Sequence, residues 1–497
     1  MKTLLLFLAM FVSVFSVAQD GGMDTSFGNE GVVITDIDDS TDLGLAVVQQ
    51  DDGKLVISGI TSFDNGNSFL PYVVRYLPDG SLDNSFGDGG TLIGDFAEGY
   101  THAMNVFIDG LQNIIVAGIF IESQAYHYKV ARYDANGFLD TSFGTNGLFT
   151  VPSGYESKMT MLSDDSFLFV KFKNNDEISV FHYLENGTLN PDFGVNGIAT
   201  SAFTGGQFKL EGVKTGANGN IFVLGRRDIT LAADIILMQF QPDGYLNTSF
   251  GNNGMAIKTI DAMNPMNSSS ADFDFTDDGK IVIAGSSGAC LNESHSIRQP
   301  FFLKYESDGL PDNSFGVNGT VLLPISNFEI SQLLIQTNQK MMAVGHAQDC
   351  FEGSSYIIRR YYLDGNIDYS FSGGAPMELE YSTSIFQNDG KIVSIGSTPW
   401  YTGNEDIVVF RLNNNPLSVP QFEDQVVKVY PNPSKGIFIV EREFPIENNS
   451  YQITDVVGKI IANGELYNQQ TQIDLSFVQS GVYFLKTSNS VFRLLKN

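Results

Sequence analysis

The chain has 497 residues, 42% of them hydrophobic and 12% aromatic, a balance that excludes a disordered protein. A formal net charge of −29 sets nucleic acid and anionic membrane aside as partners, because both need clustered Lys and Arg. The excess lies in the first four-fifths: from Pro420 onward eight acids face seven bases, a net of −1.

Residues 1–18 predict a secretory signal peptide. Lys2 supplies the positive end, Leu4 to Val17 is apolar, and Ser16-Val17-Ala18 places small residues for cleavage before Gln19. No Cys lies near that site, which argues against a lipoprotein. No later run is apolar enough to span a bilayer, so no transmembrane segment is expected once the signal is removed.

From there a short motif recurs: Ser26-Phe27-Gly28, Ser85-Phe86-Gly87, Ser142-Phe143-Gly144, Asp192-Phe193-Gly194, Ser249-Phe250-Gly251, Ser314-Phe315-Gly316 and the degraded Ser370-Phe371-Ser372. A further Gly follows each: Gly31, Gly90, Gly147, Gly197, Gly254, Gly319, Gly374. The spacing predicts seven units, roughly 23–82, 83–139, 140–189, 190–246, 247–310, 311–367 and 368–414. Each reads as four strands. The first follows the Phe-Gly turn, as in Val32-Val33-Ile34. A second, such as Ala46 to Gln50, leads to a tight Asp-Gly turn and a third: Asp52-Gly53-Lys54, Asp278-Gly279-Lys280 and Asp389-Gly390-Lys391 mark these turns. The third strand usually ends in Gly (Gly59, Gly118, Gly225, Gly285, Gly345, Gly396). The fourth carries a polar residue before a ring: Arg75-Tyr76, Arg132-Tyr133, His182-Tyr183, Gln239-Phe240, Lys304-Tyr305, Arg360-Tyr361, with Arg411-Leu412 last. Neighbours on a strand face opposite sides, so the ring should enter a core and its partner point elsewhere.

Four strands in about 57 residues make one propeller blade, and the fold class is all-β: a seven-bladed β-propeller over 19–414, then a small β-sandwich domain. Leu82-Asp83-Asn84-Ser85-Phe86-Gly87 and Leu139-Asp140-Thr141-Ser142-Phe143-Gly144 resemble the delta-60 repeat family, which implies a propeller and little chemistry. The resemblance breaks in the third unit, where Lys171 replaces the usual Gly and Asn174-Asn175-Asp176 makes a short turn, and in the seventh, where Gly is lost after Phe371.

Residues 415–424 read as a polar linker. Then come Tyr430-Pro431-Asn432-Pro433 with Gly436, Asp455-Val456-Val457-Gly458-Lys459, Ile473-Asp474-Leu475-Ser476, and Gly481-Val482-Tyr483-Phe484 before a basic end. In that order, over 425–497, they resemble the C-terminal sorting domain of the Bacteroidetes type IX secretion system (the Por type, type A). The resemblance implies a small β-sandwich, the type IX machinery as a partner, passage through the periplasm, and delivery to the outer cell surface or the medium.

The motif acids Asp24, Asp83, Asp140, Asp312 and Asp368, with Asn190 and Asn247 in two units, admit turn capping or calcium binding. No unit has the dense alternating Asp of a calcium loop, so capping is expected and no cofactor or metal residue is assigned. The Arg75-type position admits a ligand-binding ring or hydrogen bonding at the surface and between units. The histidines His102, His127, His182, His295 and His346 have no metal-ligand spacing, and no nucleophile elbow or phosphate loop occurs, so no catalytic residue is assigned. One-off features are the Trp400-Tyr401 loop and the insertion Cys290 to Pro300. Cys290 and Cys350, each five residues past a strand-three Gly, form a candidate disulfide. The function expected is a binding module for glycan, protein or envelope material, working from loops or from a channel lined by the first strands. The alternatives are a polymer-degrading hydrolase or lyase with acids at the channel, and a structural surface protein.

Overall fold

The computed structural model describes residues 20–64, 69–94, 100–122, 125–152, 157–173, 177–202, 208–229, 232–261, 271–292, 295–324, 326–348, 354–373, 379–399, 404–414, 427–442, 450–455, 459–465, 470–487 and 491–497. The signal segment, the 415–424 linker, Trp400-Tyr401, Cys350, Gly374 and Gly458 lie outside them, as do the side chains of Cys290, His102 and His295. The candidate disulfide therefore falls outside the described residues. Two compact units divide the chain, Met1–Pro416 and Leu417–Asn497. Among the described residues every regular element is a β-strand, and no helix is long and apolar enough to cross a membrane.

Among the described residues of the first unit the strands build seven antiparallel sheets. Sheet 1 runs Thr41–Gln49, Leu55–Ser62, Leu70–Tyr76, Thr91–Ile93, in that order. Four more four-stranded sheets follow within 100–152, 157–202, 208–261 and 271–322. Sheet 6 holds Phe328–Ile335, Met341–Gln348 and Ser354–Tyr361. Sheet 7 holds Glu380–Phe386, Ile392–Ser397 and Ile407–Leu412, and its fourth strand comes from the other end of the unit: Val32–Thr35 pairs antiparallel with Ile407–Leu412, Val32 opposite Phe410 and Thr35 opposite Ile407.

Sheet and sequence period are therefore offset. The strand after each of the first six Phe-Gly turns closes the sheet of the preceding unit. Glycines at positive φ (Gly28 at 54°, Gly31 at 97°) fold that strand back beside the one before it. The strands that meet from sheet to sheet lie at the opposite edge: Thr41–Gln49 touches both Tyr100–Ile108 and Glu380–Phe386. The inner strand is thus the second of each sequence unit, and the expectation that first strands line the channel is corrected.

The core is divided into seven clusters, each between two consecutive sheets. Val56 and Phe86 pack on Val106, Ile114 and Val116 between sheets 1 and 2. Ile115 and Phe143 meet Phe167 and Phe169 between sheets 2 and 3, and the pattern continues to sheet 7. Val393, Ile395 and Val409 of sheet 7 then pack on Leu55, Ile57 and Val74 of sheet 1, so the cycle of cores closes. Each such side chain contributes about 1.5–3 kcal/mol by leaving water.

The strand-three glycines do not end their strands: Leu55–Ser62 continues past Gly59 and Ile281–Asn292 past Gly285. Instead the inner strand bulges opposite them, between Gly44 and Ala46, Leu210 and Gly212, and Ile330 and Gln332. A Cβ on Gly345 would lie 1.8 Å from the Glu329 carbonyl oxygen. In the third unit Lys171 takes the glycine's place, and Ser157–Met161 pairs with Phe167–Lys173 without a register shift.

The second unit holds two antiparallel sheets. One is Val427–Tyr430, Ile437–Arg442, Gln470–Asp474; the other is Ile460–Glu465, Ser450–Asp455, Gly481–Thr487, Val491–Lys496. Both contribute to one core, with Phe438, Val440 and Leu475 against Ile453, Leu485 and Leu494.

Candidate functional site

The polar residue of strand four and the acid of the next Phe-Gly motif are partners. Asp83 Oδ1 accepts the Ser85 N–H (3.1 Å) and hydroxyl (2.6 Å), the expected turn cap, while Oδ2 accepts Arg75 Nε at 2.8 Å. The Arg75 guanidinium lies 4.6 Å over the Phe86 ring and its Nη1 donates to the Ala135 carbonyl in the turn after sheet 2. Arg132 repeats this with Asp140, the Phe143 ring and the Glu185 carbonyl (3.1 Å). Arg411 does so across the closure, with Asp24 (2.7 Å), the Phe27 ring and the Pro78 carbonyl (2.7 Å). The lysine of the Asp-Gly-Lys turn, or of the equivalent Asn338-Gln339-Lys340, supplies a second cation: Lys391 to Asp24 at 2.9 Å, Lys280 to Asp312 at 2.9 Å, Lys340 to Asp368 at 2.7 Å.

These carboxylates are thus held by cations and turn N–H groups. Burial raises the pKa of Asp24, Asp312 and Asp368, but the hydroxyl and ammonium hydrogen bonds and the arginine or lysine charges outweigh it and hold them well below the usual carboxylate range. The geometry answers both sequence questions with one device, a turn cap that also ties one unit to the next. The strand-four partner is buried or half-buried at this junction: Arg75 is 3% exposed and Arg360 1%, while Arg132, His182 and Lys304 are half-buried.

The device is rewritten in the third unit. Ser166 stands where Lys54 would, His182 where Arg75 would and Asn190 where Asp83 would, so charge leaves both sides of the pair together. Asn190 Nδ2 lies 3.1 Å from His182 Nδ1, His182 Nε2 2.9 Å from Ser166 Oγ, and Ser166 Oγ 2.5 Å from Asp164 Oδ1. An amide can only donate to an unprotonated Nδ1, so the network assigns the proton to Nε2, and His182 donates to Ser166, which donates to Asp164. Burial pushes the His182 pKa down, against the opposing pull of Asp164. Beside this network a cavity of about 560 Å³ opens between sheets 3 and 4, lined by Asp164, His182, Phe193, Thr215, Gly219 and Pro242 among others. The fourth unit is neutral as well, with Gln239 bonded to Asn247.

A second cluster sits at the closure. Asp36, Asp42 and Asp406 bring carboxylate oxygens within 4.8 Å of one another, a set of hard ligands suited to a divalent cation. Asp42 is fully buried and accepts the Ile37 N–H (2.7 Å) and the Ser40 hydroxyl (2.6 Å). Burial, then the Asp36 charge, raises the pKa of Asp42 and of Asp406. Sequence reasoning looked for metal ligands in the repeated motif and missed this set; the one-off acidic run Asp36 to Asp39 was the available signal.

In the second unit the motif residues fall at turns and edges. Asn432, between Pro431 and Pro433, docks on the last strand: its Nδ2 donates to the Arg493 carbonyl (2.6 Å) and its Oδ1 accepts the Leu495 N–H (2.8 Å). Tyr430 ends the first strand, and the Gly436 carbonyl accepts the Leu475 N–H at 2.6 Å. Asp455 Oδ1 accepts the Lys459 N–H at 2.9 Å, closing a hairpin whose Gly458 lies outside the described residues. Gly481 opens the strand in which the Tyr483 hydroxyl donates to the Gln479 carbonyl (2.8 Å).

Residues 428–496 match the model of the secretion system C-terminal sorting domain. Residues 50–86, 113–143, 276–315 and 387–415 match a domain of unknown function described as a β-propeller, DUF5122. The chain is a β-propeller with a type IX secretion sorting domain at its C-terminus. That domain directs the propeller through the type IX system to the cell surface or beyond. No curated protein matches the chain. Among solved structures, a catalytically inactive virginiamycin B lyase of Staphylococcus aureus with quinupristin is 10% identical, covering 76% of this chain and 98% of its own at a TM-score of 0.42. An α-L-arabinanase of Penicillium chrysogenum complexed with arabinobiose is 10% identical (77% and 97%, TM-score 0.40), and Drosophila Semaphorin 2a is 7% identical (96% and 98%, TM-score 0.46). Likenesses this distant leave the function of the sorted propeller open.

Proposed function

We propose that the chain is an exported seven-bladed β-propeller, residues 19–414, acting as a binding module for glycan, protein or envelope material at the cell surface. A signal peptide (1–18) would start its export, and a small β-sandwich (425–497) behind a linker (415–424) would finish it. The observation that carries this reading is the sorting domain over 428–496. The state of the repeated polar groups supports binding over catalysis: the motif acids are bonded to cations within the fold, which leaves ligand chemistry to positions where the units differ. In the sorting domain we take Tyr430, Pro431, Asn432, Pro433, Gly436, Asp455, Gly458, Lys459, Gly481 and Tyr483 as the sorting motif on which recognition by the secretion machinery would depend.

Two measurements test this. Deleting 428–496 is expected to leave the protein in the periplasm, whereas the full chain reaches the surface or medium. The purified propeller is expected to retain a ligand from a panel of envelope polysaccharides and surface proteins, without turnover. Release of shortened glycan from any of these substrates would replace binding with catalysis.

A further inference from the structure

The cavity between sheets 3 and 4 occupies the place where other units keep a guanidinium. In the first, second and seventh units an arginine at this position lies over the motif Phe ring at 4.6 to 4.7 Å and caps a carbonyl in the next unit's turn: Ala135 for Arg75, Glu185 for Arg132, Pro78 for Arg411. In the third unit the ring is Phe193 and the corresponding turn residue is Pro242, but His182 replaces the arginine. The imidazole packs edge-on to Phe193, centroids 5.2 Å apart, and spends its nitrogens on Ser166 and Asn190. It is shorter than an arginine, and both Phe193 and Pro242 line the cavity.

The turn beside the cavity adds to the same space. At three other turns a side chain bridges to the hairpin of the adjacent sheet: Gln112 to the Asp51 N–H (3.1 Å), Asp165 to the Gly110 N–H (3.0 Å), Gln339 to the Asp277 N–H (3.3 Å). At the corresponding position in the fourth unit stands Gly219, which has no side chain to reach across and which also lines the cavity. The Asp164 carboxylate lies at the rim, and the body's large negative charge favours cations there.

We propose that this cavity binds a guanidinium group from outside the chain, which takes the place left by the missing arginine: over the Phe193 ring, toward the Pro242 carbonyl, beside Asp164. Stacking on an aromatic face and charge-assisted bonds to carbonyl and carboxylate are the interactions the other units use for the same group. The inference rests on the binding reading above and names one chemical class for its ligand. The group could arrive free or on a polypeptide, and the test separates the two.

The full chain without its signal is titrated calorimetrically with arginine amide, with an Arg-containing tripeptide amide, and with citrulline amide as the uncharged isostere. Binding of the arginine compounds and at least tenfold weaker binding of citrulline amide is expected; tighter binding of the tripeptide would mark a polypeptide source, equal binding a free one. The double variant His182→Arg/Asn190→Asp restores the pair of the neighbouring units and should abolish binding while the melting temperature stays level or rises. Asp164→Asn, which can still accept the Ser166 N–H, should weaken binding about tenfold, and it serves if the double variant does not fold. Unchanged affinity in these variants, equal affinity for citrulline amide, or no arginine binding at millimolar concentration overturns the proposal. Retention of an envelope ligand by the double variant would sink the guanidinium site alone and leave the broader binding reading standing.

Discussion

At the scale of single residues, the seven strand-four positions and the seven motif Asp or Asn positions form one correlated set. Arg, Lys or Arg with Lys faces Asp; His182 faces Asn190 and Gln239 faces Asn247. A buried charge is tolerated only with its opposite beside it, so both members must lose charge together. Arg132 and Asp140 test this, because Asn113 and not a lysine stands at the position of Lys54 in this unit. Arg132→Ala and Asp140→Ala are each expected to cost about 1.5–3 kcal/mol in chemical denaturation, the worth of a charge-assisted hydrogen bond. The pair Arg132→His/Asp140→Asn, copying the third unit, should cost clearly less than the sum of its two single changes. Additive costs would mean that the two side chains do not act as a pair. The sequence held both halves of this set in plain view, yet reading them separately gave a turn cap and a residue for hydrogen bonding at the surface or between units, with no link from one to the other. Their meeting depends on the turn that brings strand four back over the motif.

At the scale of the element, strand-three glycines such as Gly59, Gly225 and Gly345 make room for the bulge opposite them. Gly345→Ala would press a methyl group onto the Glu329 carbonyl, which cannot move without breaking the pairing of Phe328–Ile335. A loss of about 3 kcal/mol, the upper range for overpacking, is expected as a lower denaturation midpoint at unchanged slope. An alanine at Gly279 of an Asp-Gly turn meets no atom within 4 Å, so only its positive φ (78°) opposes it, and the cost should be smaller. If both variants melt alike, crowding is not the reason for Gly345. The sequence announced these glycines and their loss at Lys171, and it announced the Asp-Gly hairpins correctly. It did not announce that the strand continues past the glycine, because a bulge lies on the partner strand and leaves no mark of its own on the glycine-bearing one.

At the scale of the whole first unit, closure joins residues that are hundreds of positions apart. Val32–Thr35 completes sheet 7, Arg411 binds Asp24, and Arg360 Nη2 reaches Asp20 at 3.2 Å. Removing residues 20–36 would strip the outer edge from Ile407–Leu412 and leave Arg411 buried without its carboxylate. A markedly lower melting temperature and aggregation by gel filtration are expected; a monomer of unchanged melting temperature would refute the role assigned to this seam. Stability should also fall in acid, in two windows. His182 and His346 have pKa values depressed by burial, so the stability tied to their neutral form is full above the ordinary value of 6.5 and declines as pH falls through their lower folded values. Asp24, Asp312 and Asp368 are likewise depressed, and their contribution is lost as pH falls below the ordinary 3.8 toward their folded values. Asp42 and Asp406 act with opposite sign: their raised values penalise the folded state at neutral pH, and acid relieves them. Melting temperature against pH should therefore show a first decline below 6.5 and a steeper one below 3.8; a flat profile would contradict both assignments.

Taken alone, the sequence determined the all-β character, the repeat period, the hairpin turns and the sorting domain, since each is written in local patterns: glycines at turns, alternating apolar residues, a motif within a few dozen positions. The tertiary structure decided which sheet each strand after a Phe-Gly turn joins, that Arg411 and Asp24 close the body, that Asp36, Asp42 and Asp406 converge, and that a cavity lies beside His182. These are contacts between residues distant in the chain. Their free energy depends on which groups share a buried space, and only the folded arrangement fixes that.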